Sequence, residues 1–376
     1  MKLCIFGRHP IPQGGFNGVM SLFEAIEFSR LGYETELLLP FTTRDDFRAF
    51  LEKHKLVDLN DLPRFGGHFS ISPVFSDGSN FPSCDILVYQ SYSADDWAQF
   101  NELCRNHSKL ITKNFPKFVA NPTPDSSVLH QLAYFDLVAC ALNEDYQLLS
   151  SVPHISSEYR HSFAYVPRGA SPEMLHPGYK FGLPPTIGLD VPNNNTIDAL
   201  QQYIYPIQRL RVDYPDLSVI TIGREVKELG SLMVPFGRFD RIYEDFFNKI
   251  HLYCAINYEF SPSHLQASVQ KNAEGWGKKA IYEVQNIEAQ MSGAVLVGHR
   301  DNLIPELYIP GVTGVNYSEE ADIYRTMKQA LNQWHFMVGG IRRFATDQFR
   351  WSHCIKLWSD AIQARMKLPL RGQGDT

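Results

Sequence analysis

The stretch KLCIFGRHPIPQGGFNGVMSLFEAIEFSRLGYETELLLP, from Lys2 to Pro40, decides the fold class. Its apolar run Lys2–Gly7 predicts a strand. The loop Arg8–Asn17 follows with Gly14-Gly15, then helical periodicity over Gly18–Leu31. A turn at Gly32 leads into a second apolar run, Glu34–Pro40. Strand, glycine-bearing loop, helix and strand make a βαβ unit, the building block of a parallel sheet.

The same alternation continues along the chain. Asp85–Gln90, Lys109–Lys113 and Asp136–Cys140 read as further strands. A Pro/Gly-rich stretch, Pro172–Pro185, has the composition of a linker. Beyond it come strands at Pro185–Leu189, Leu217–Ile222, Leu252–Asn257 and Ala294–Val297. Helices are expected at Ile197–Arg211, Arg241–Lys249, Lys278–Met291 and Glu319–Phe336. Phe349–Met366 is amphipathic, with Trp351, Ile355, Trp358 and Ile362 at helical spacing. The 376 residues therefore divide into two parallel α/β domains and an appendage. The expected bounds are 1–170, 171–345 and 346–376.

Composition narrows the function. With 35 Lys+Arg against 41 Asp+Glu the formal net charge is −6, which disfavours coating nucleic acid by bulk charge. The six cysteines form no CxxC pair, so neither a zinc site nor a disulfide framework is expected. Scattered thiols in apolar contexts, no apolar run of membrane-spanning length and a first strand beginning at Met1 predict a soluble cytoplasmic protein.

Gly14 and Gly15 precede a helix N-terminus, where backbone N–H groups can meet a phosphate or sugar. No GxGxxG is present, which disfavours a dehydrogenase. Further on, Glu283 and Glu288 lie on one expected helix, about 140° apart around its axis. Gly293 ends that helix before a short buried strand.

This segment resembles the nucleotide-sugar site of retaining glycosyltransferases of the GT-B fold, in the family-4-type group. The shared pattern is Glu288-Ala289, Gly293, Val295–Val297, Pro305-Glu306 and Gly311-Val-Thr-Gly314, in order. Tyr165–Pro177 is similar to that family's interdomain segment, the Gly14-Gly15 unit to its first βαβ, and Phe349-Arg-Trp351 with Trp358 to its final helix. The resemblance implies two Rossmann-like parallel-sheet domains facing across a cleft, with a C-terminal helix crossing back to the first. The first would take the acceptor and the second the donor.

What the resemblance implies for chemistry is a retaining, metal-independent, hexosyltransferase-like enzyme. It would use a nucleotide-diphosphate sugar such as a UDP- or GDP-sugar as co-substrate and hold no cofactor or metal. The acceptor would be a saccharide or a lipid-linked cell-envelope molecule, with peripheral membrane contact possible. Glu288 would bind the ribose hydroxyls. Glu283 would face the sugar, with Gly15 in the catalytic loop and Gly14 beside it. Arg300 and Asn302 would lie near the donor.

The chain also departs from the pattern. The usual first glutamate falls at Ala280, and Glu283 stands in its stead, a spacing similar to the bacteriophage DNA α-glucosyltransferase. The usual cations after the second domain's first strand are replaced by Asp190-Val-Pro-Asn-Asn-Asn195. Lys278, Lys279, Arg224 and Lys227 are the candidates to meet the diphosphate. The expected catalytic histidine is replaced by Lys113–Lys117, with His130 nearby. Two alternatives stay open: modification of hydroxymethylated DNA bases, and an inactive sugar-binding protein of the same fold.

Overall fold

A computed structural model describes residues 1–7, 16–41, 44–53, 69–75, 80–90, 104–115, 135–151, 162–178, 180–191, 195–235, 242–255, 284–300, 303 and 306–368. They form two compact units. One comprises Met1–Arg168 with Trp351–Thr376, the other Gly169–Arg350.

The first unit holds β1 (Lys2–Phe6), α1 (Phe16–Arg30), β2 (Glu34–Phe41), α2 (Arg44–Lys53), β3 (Phe69–Phe75), β4 (Cys84–Tyr89), β5 (Ser108–Phe115), β6 (Leu137–Cys140), α3 (Asn143–Ser151) and β7 (Ser162–Tyr165). Its seven strands are all parallel, in the order β3-β2-β1-β4-β5-β6-β7. The second unit holds β8 (Thr186–Asp190), α4 (Asn195–Asp213), β9 (Ser218–Ile222), β10 (Leu232–Val234), β11 (Leu252–Cys254), α5 (Val284–Met291), β12 (Val295–His299), β13 (Gly314–Tyr317) and α6 (Ile323–Phe349). Its six strands, also parallel, run β10-β9-β8-β11-β12-β13. Helix α7 (Trp351–Met366) returns to the first unit.

Central parallel strands are covered on both faces and so read as continuous apolar runs. All five residues of β8 are buried. Gly188 lies within it because a Cβ there would come within 2.7 Å of Ile250. Helix α1 is buried from Ser21 through Phe28. Helix α7 covers one side of it: Trp351 stacks on Phe23, and Trp358 meets Phe28 edge-on while its Nε1 donates to Thr112 Oγ1 at 3.0 Å. Arg365 adds a bond from Nε to the Asp136 carbonyl.

Several sequence expectations need correction. The helix expected over Arg241–Lys249 is only a short π-helical turn, Tyr243–Phe247. Strand β11 stops at Cys254; Ala255, expected to extend it, lies outside the strand, and positions 256 and 257 lie outside the described residues. The helix expected over Glu319–Phe336 instead runs from Ile323 to Phe349, carried through Gly339-Gly340 by a buried face from Trp334 to Ile341 and Ala345. Arg350 then turns extended, with φ −66° and ψ 139°, and separates α6 from α7. Strands β3, β7, β10 and β13 and helices α2 and α3 were not expected from the sequence. All six cysteines are free and buried.

The amino edge of the second sheet carries a layer of buried polar groups. The Thr186 N–H donates to His251 Nδ1 at 3.2 Å, so that nitrogen is the acceptor. Nε2 therefore carries the hydrogen toward the Lys180 carbonyl, also at 3.2 Å. Burial first, then the neighbouring Lys180 amine, pushes the imidazole down to about 4. The unfolded chain takes up this proton near pH 6.5 and the native state only near pH 4, so stability is lost as pH falls through that window. Relative to His251→Gln, the protein is expected to lose roughly 1.4 kcal/mol for each pH unit across the window. Urea unfolding of both proteins from pH 7 to pH 4 measures the difference, and parallel curves would contradict it.

Candidate functional site

Both sheets reverse their order of addition at the first strand, between β1 and β4 and between β8 and β11. In open parallel sheets such reversals leave a crevice outside the carboxyl ends of the strands, where ligands bind. In the second unit β8 ends there on Asp190, a buried acid at the end of an apolar strand. Gln285, on the first turn of α5, donates its amide to Asp190 Oδ2 at 3.3 Å.

One turn further along α5, Glu288 is 3% exposed. Tyr243, on the π-helical turn, donates its hydroxyl to Glu288 Oε1 at 2.8 Å. Among the described residues Glu288 Oε2 has no hydrogen-bond partner. Desolvation pushes this carboxyl up to about 8; the Tyr243 bond opposes that and the Asp190 charge adds to it. Burial likewise raises Asp190 to about 7, against the Gln285 bond. Tyr243 is driven well above its ordinary range by burial and by the Glu288 carboxylate. The result is a dry set of acids held by neutral donors, with acceptor capacity left over on Glu288.

Arg224 and Lys227 follow β9, and Arg300 follows β12, so all three leave the carboxyl ends of their strands, as Asp190 does. All three are exposed. Gly14, Gly15, Lys278, Lys279, Glu283 and Asn302 lie outside the described residues, as do Lys117 and His130. Of the sequence candidates the structure therefore brings Glu288 into a buried cluster with Gln285 of the same helix, and its companions Asp190 and Tyr243 come from two other places in the chain. An acid closing an apolar strand was a readable signal for Asp190. Tyr243 carried none, because it is one of 18 tyrosines with no motif around it.

The first unit has a counterpart that the sequence did not flag. Glu24, on α1, is buried, and Gln90, just past β4, donates Nε2 to Glu24 Oε2 at 2.6 Å. Desolvation lifts this carboxyl to about 8, against the Gln90 bond and the Arg168 charge. At the place of the expected histidine, Lys113 is buried, its amine 5.6 Å from the Tyr89 ring centre and 5.7 Å from that of Phe135.

No family model and no curated protein matches the sequence. Solved structures do. Sucrose-phosphate synthase from Thermosynechococcus elongatus is 12% identical, with 98% of this chain and 99% of that one covered at a TM-score of 0.59. HepE from Anabaena, in complex with UDP and glucose, is 12% identical, with 97% and 100% covered at 0.60. A glycosyltransferase from Rickettsia africae is 11% identical, with 98% and 100% covered at 0.58. The chain has the GT-B fold. Identity this low speaks for the architecture alone, so chemistry on the GT-B scaffold has to be argued from side chains.

The Glu288 carboxyl makes a measurable demand on stability. Between pH 4.5 and about 8 the unfolded chain ionises this group while the native protein keeps it protonated, so stability falls as pH rises. Glu288→Gln keeps the acceptor for Tyr243 and removes the titration. Its stability relative to the parent is expected to climb by roughly 1.4 kcal/mol for each pH unit between pH 5 and pH 8. Denaturant melts at pH 5 and pH 8 test this, and an equal difference at both would refute it.

Proposed function

We propose that this protein is a retaining glycosyltransferase that moves a sugar from a nucleotide-diphosphate donor to a saccharide or lipid-linked acceptor. The observation that carries the reading is Oε2 of Glu288, which has no partner among the described residues and is buried near the order reversal of the second sheet. A carboxylate offers only acceptors and matches a vicinal diol, the chemistry of a ribose. Two neighbouring structures of the same fold support a nucleotide-sugar donor, since HepE is described with UDP and glucose and with UDP-glucose.

In this reading Glu288 accepts from the ribose hydroxyls, while Tyr243 holds its other oxygen and fixes the carboxyl plane. Arg224, Lys227 and Arg300 supply positive charge for the diphosphate from the carboxyl edge of the sheet, with Lys278 and Lys279 as further donors. Charge on the leaving group grows in the transition state, so cations placed there lower the barrier. In the retaining reaction the departing phosphate takes the acceptor proton on the same face of the sugar. Glu283, Gly14, Gly15 and Asn302 complete the assignment. The DNA-modifying alternative rests on Glu283, which lies outside the described residues, and the charge of −6 weighs against it.

Ionisation links binding to pH. A diol favours the charged carboxylate, so nucleotide binding pulls a proton off Glu288 wherever the free protein holds one. Near pH 7 calorimetry in buffers of different ionisation enthalpy is expected to show up to one proton released for each UDP bound, and none in Glu288→Gln. UDP affinity should rise with pH up to about 8. Glu288→Ala is expected to weaken UDP by about tenfold or more, the cost of unpaired hydroxyls. If UDP-, GDP- and dTDP-sugars give neither thermal shift nor released nucleotide, the enzyme reading fails.

A further inference from the structure

The C-terminal end of α5 presents a backbone accounting problem. Four carbonyls of any helix lack partners inside it. Here a Schellman turn takes two of them: the Ala294 N–H donates to Ala289 O and the Gly293 N–H to Gln290 O, both at 2.8 Å. Gly293 makes this possible with φ +82°, and a Cβ there would stand 2.7 Å from Val338. The next three carbonyls are taken one by one by side chains from elsewhere. Arg342 Nη1 donates to Met291 O at 2.8 Å, Lys180 Nζ to Ser292 O at 2.6 Å and Trp334 Nε1 to Gly293 O at 2.9 Å.

Each donor is tied to something else as well. Lys180 is 1% exposed and also donates to Ser292 Oγ at 2.9 Å, while that hydroxyl donates back to Ala289 O. Burial, and after it the nearby Arg342 charge, push the Lys180 pKa well below the ordinary lysine range. Arg342 Nη2 reaches Pro172 O at 3.1 Å, and its Nη1 is shared with Leu175 O. Trp334 lies against His251 and Phe181. Lys180, from the segment after Arg168, and Arg342 and Trp334, from the long helix α6, thus grip three consecutive peptide groups between them.

Glu288, on α5, lies one turn from this grip, its carbonyl accepting from Ser292 N. We propose that Lys180, Arg342 and Trp334 are positioning residues that fix the depth and rotation of α5 and so aim the free oxygen of Glu288. This rests on Glu288 meeting the nucleotide. Most helical stability in proteins comes from tertiary packing, so the placement of α5 depends on what holds it. Asp190 and Tyr243 meet α5 at Gln285 and Glu288, and the three-donor clamp meets its carboxyl end.

The test uses the full chain and UDP, with Lys180→Met and, as a second variant, Trp334→Phe, which removes only one donor. If the clamp acts through Glu288, each variant weakens UDP by about tenfold in the parent and by less than about twofold when Glu288→Gln is already present. Equal losses in both backgrounds would overturn the proposal. Amide hydrogen exchange at Ser292, Gly293 and Ala294 should speed up in both variants while β8 keeps its protection, and unchanged exchange would also overturn it. Should the parent bind no UDP, the glycosyltransferase reading falls separately. The clamp is then judged by the NMR titration of the Glu288 carboxyl: a midpoint moved toward the ordinary range upholds positioning, and an unmoved one ends it.

Discussion

Everything in this protein follows from strands that all point the same way. A parallel strand cannot be reached by a tight turn, so each one requires a crossover that covers a face of the sheet. That is why the central strands are buried on both sides and why the carboxyl ends collect on one edge of each sheet. With one sheet built outward from β1 and the other from β8, each such edge has its own gap where successive crossovers part. The polar side chains closing those gaps, Gln90 against Glu24 and Gln285 against Asp190, are placed by topology more than by any local motif.

Buried acids in both units share one electrostatic solution. Glu24, Asp190 and Glu288 are each lifted toward neutrality by desolvation and met by an amide or a phenol. A neutral carboxyl among neutral donors costs far less to bury than an ion pair whose desolvation must be recovered. At the opposite edge of the second sheet, His251 and Lys180 follow the same rule with bases. The interior of the second unit therefore holds its shape near neutral pH with little fixed charge, and both acid and alkali work against some part of it.

The fold was legible in the sequence wherever strands were fully buried. Runs such as LCIF at β1 and VLV within β12 show up because both faces of the strand are apolar. Edge strands escaped: β10 exposes Leu232 and Met233, and β3 contains Pro73 and two serines, so neither has a continuous apolar signature. The length of α6 was hidden by Gly339-Gly340, where helix propensity is poor and a buried face with Trp334 and Ile341 prevails over it. Glu288 was legible through its place before Gly293 and the strand that follows. Its surroundings were not, since Asp190 and Tyr243 lie 98 and 45 residues away in the chain and meet it only through the sheet order.

The chain leaves the first unit at Arg168 and comes back to it at Trp351, and Ala170 is hydrogen-bonded to Phe349 beside that return. Its final helix supplies Trp351 and Trp358 to the core of a unit whose strands were made first. During synthesis, residues 169–350 have their whole fold available before the first unit has its last piece. The N-terminal sheet must wait with one side of α1 uncovered until residues 351–366 have been made. Of the two units, the one begun first is completed second.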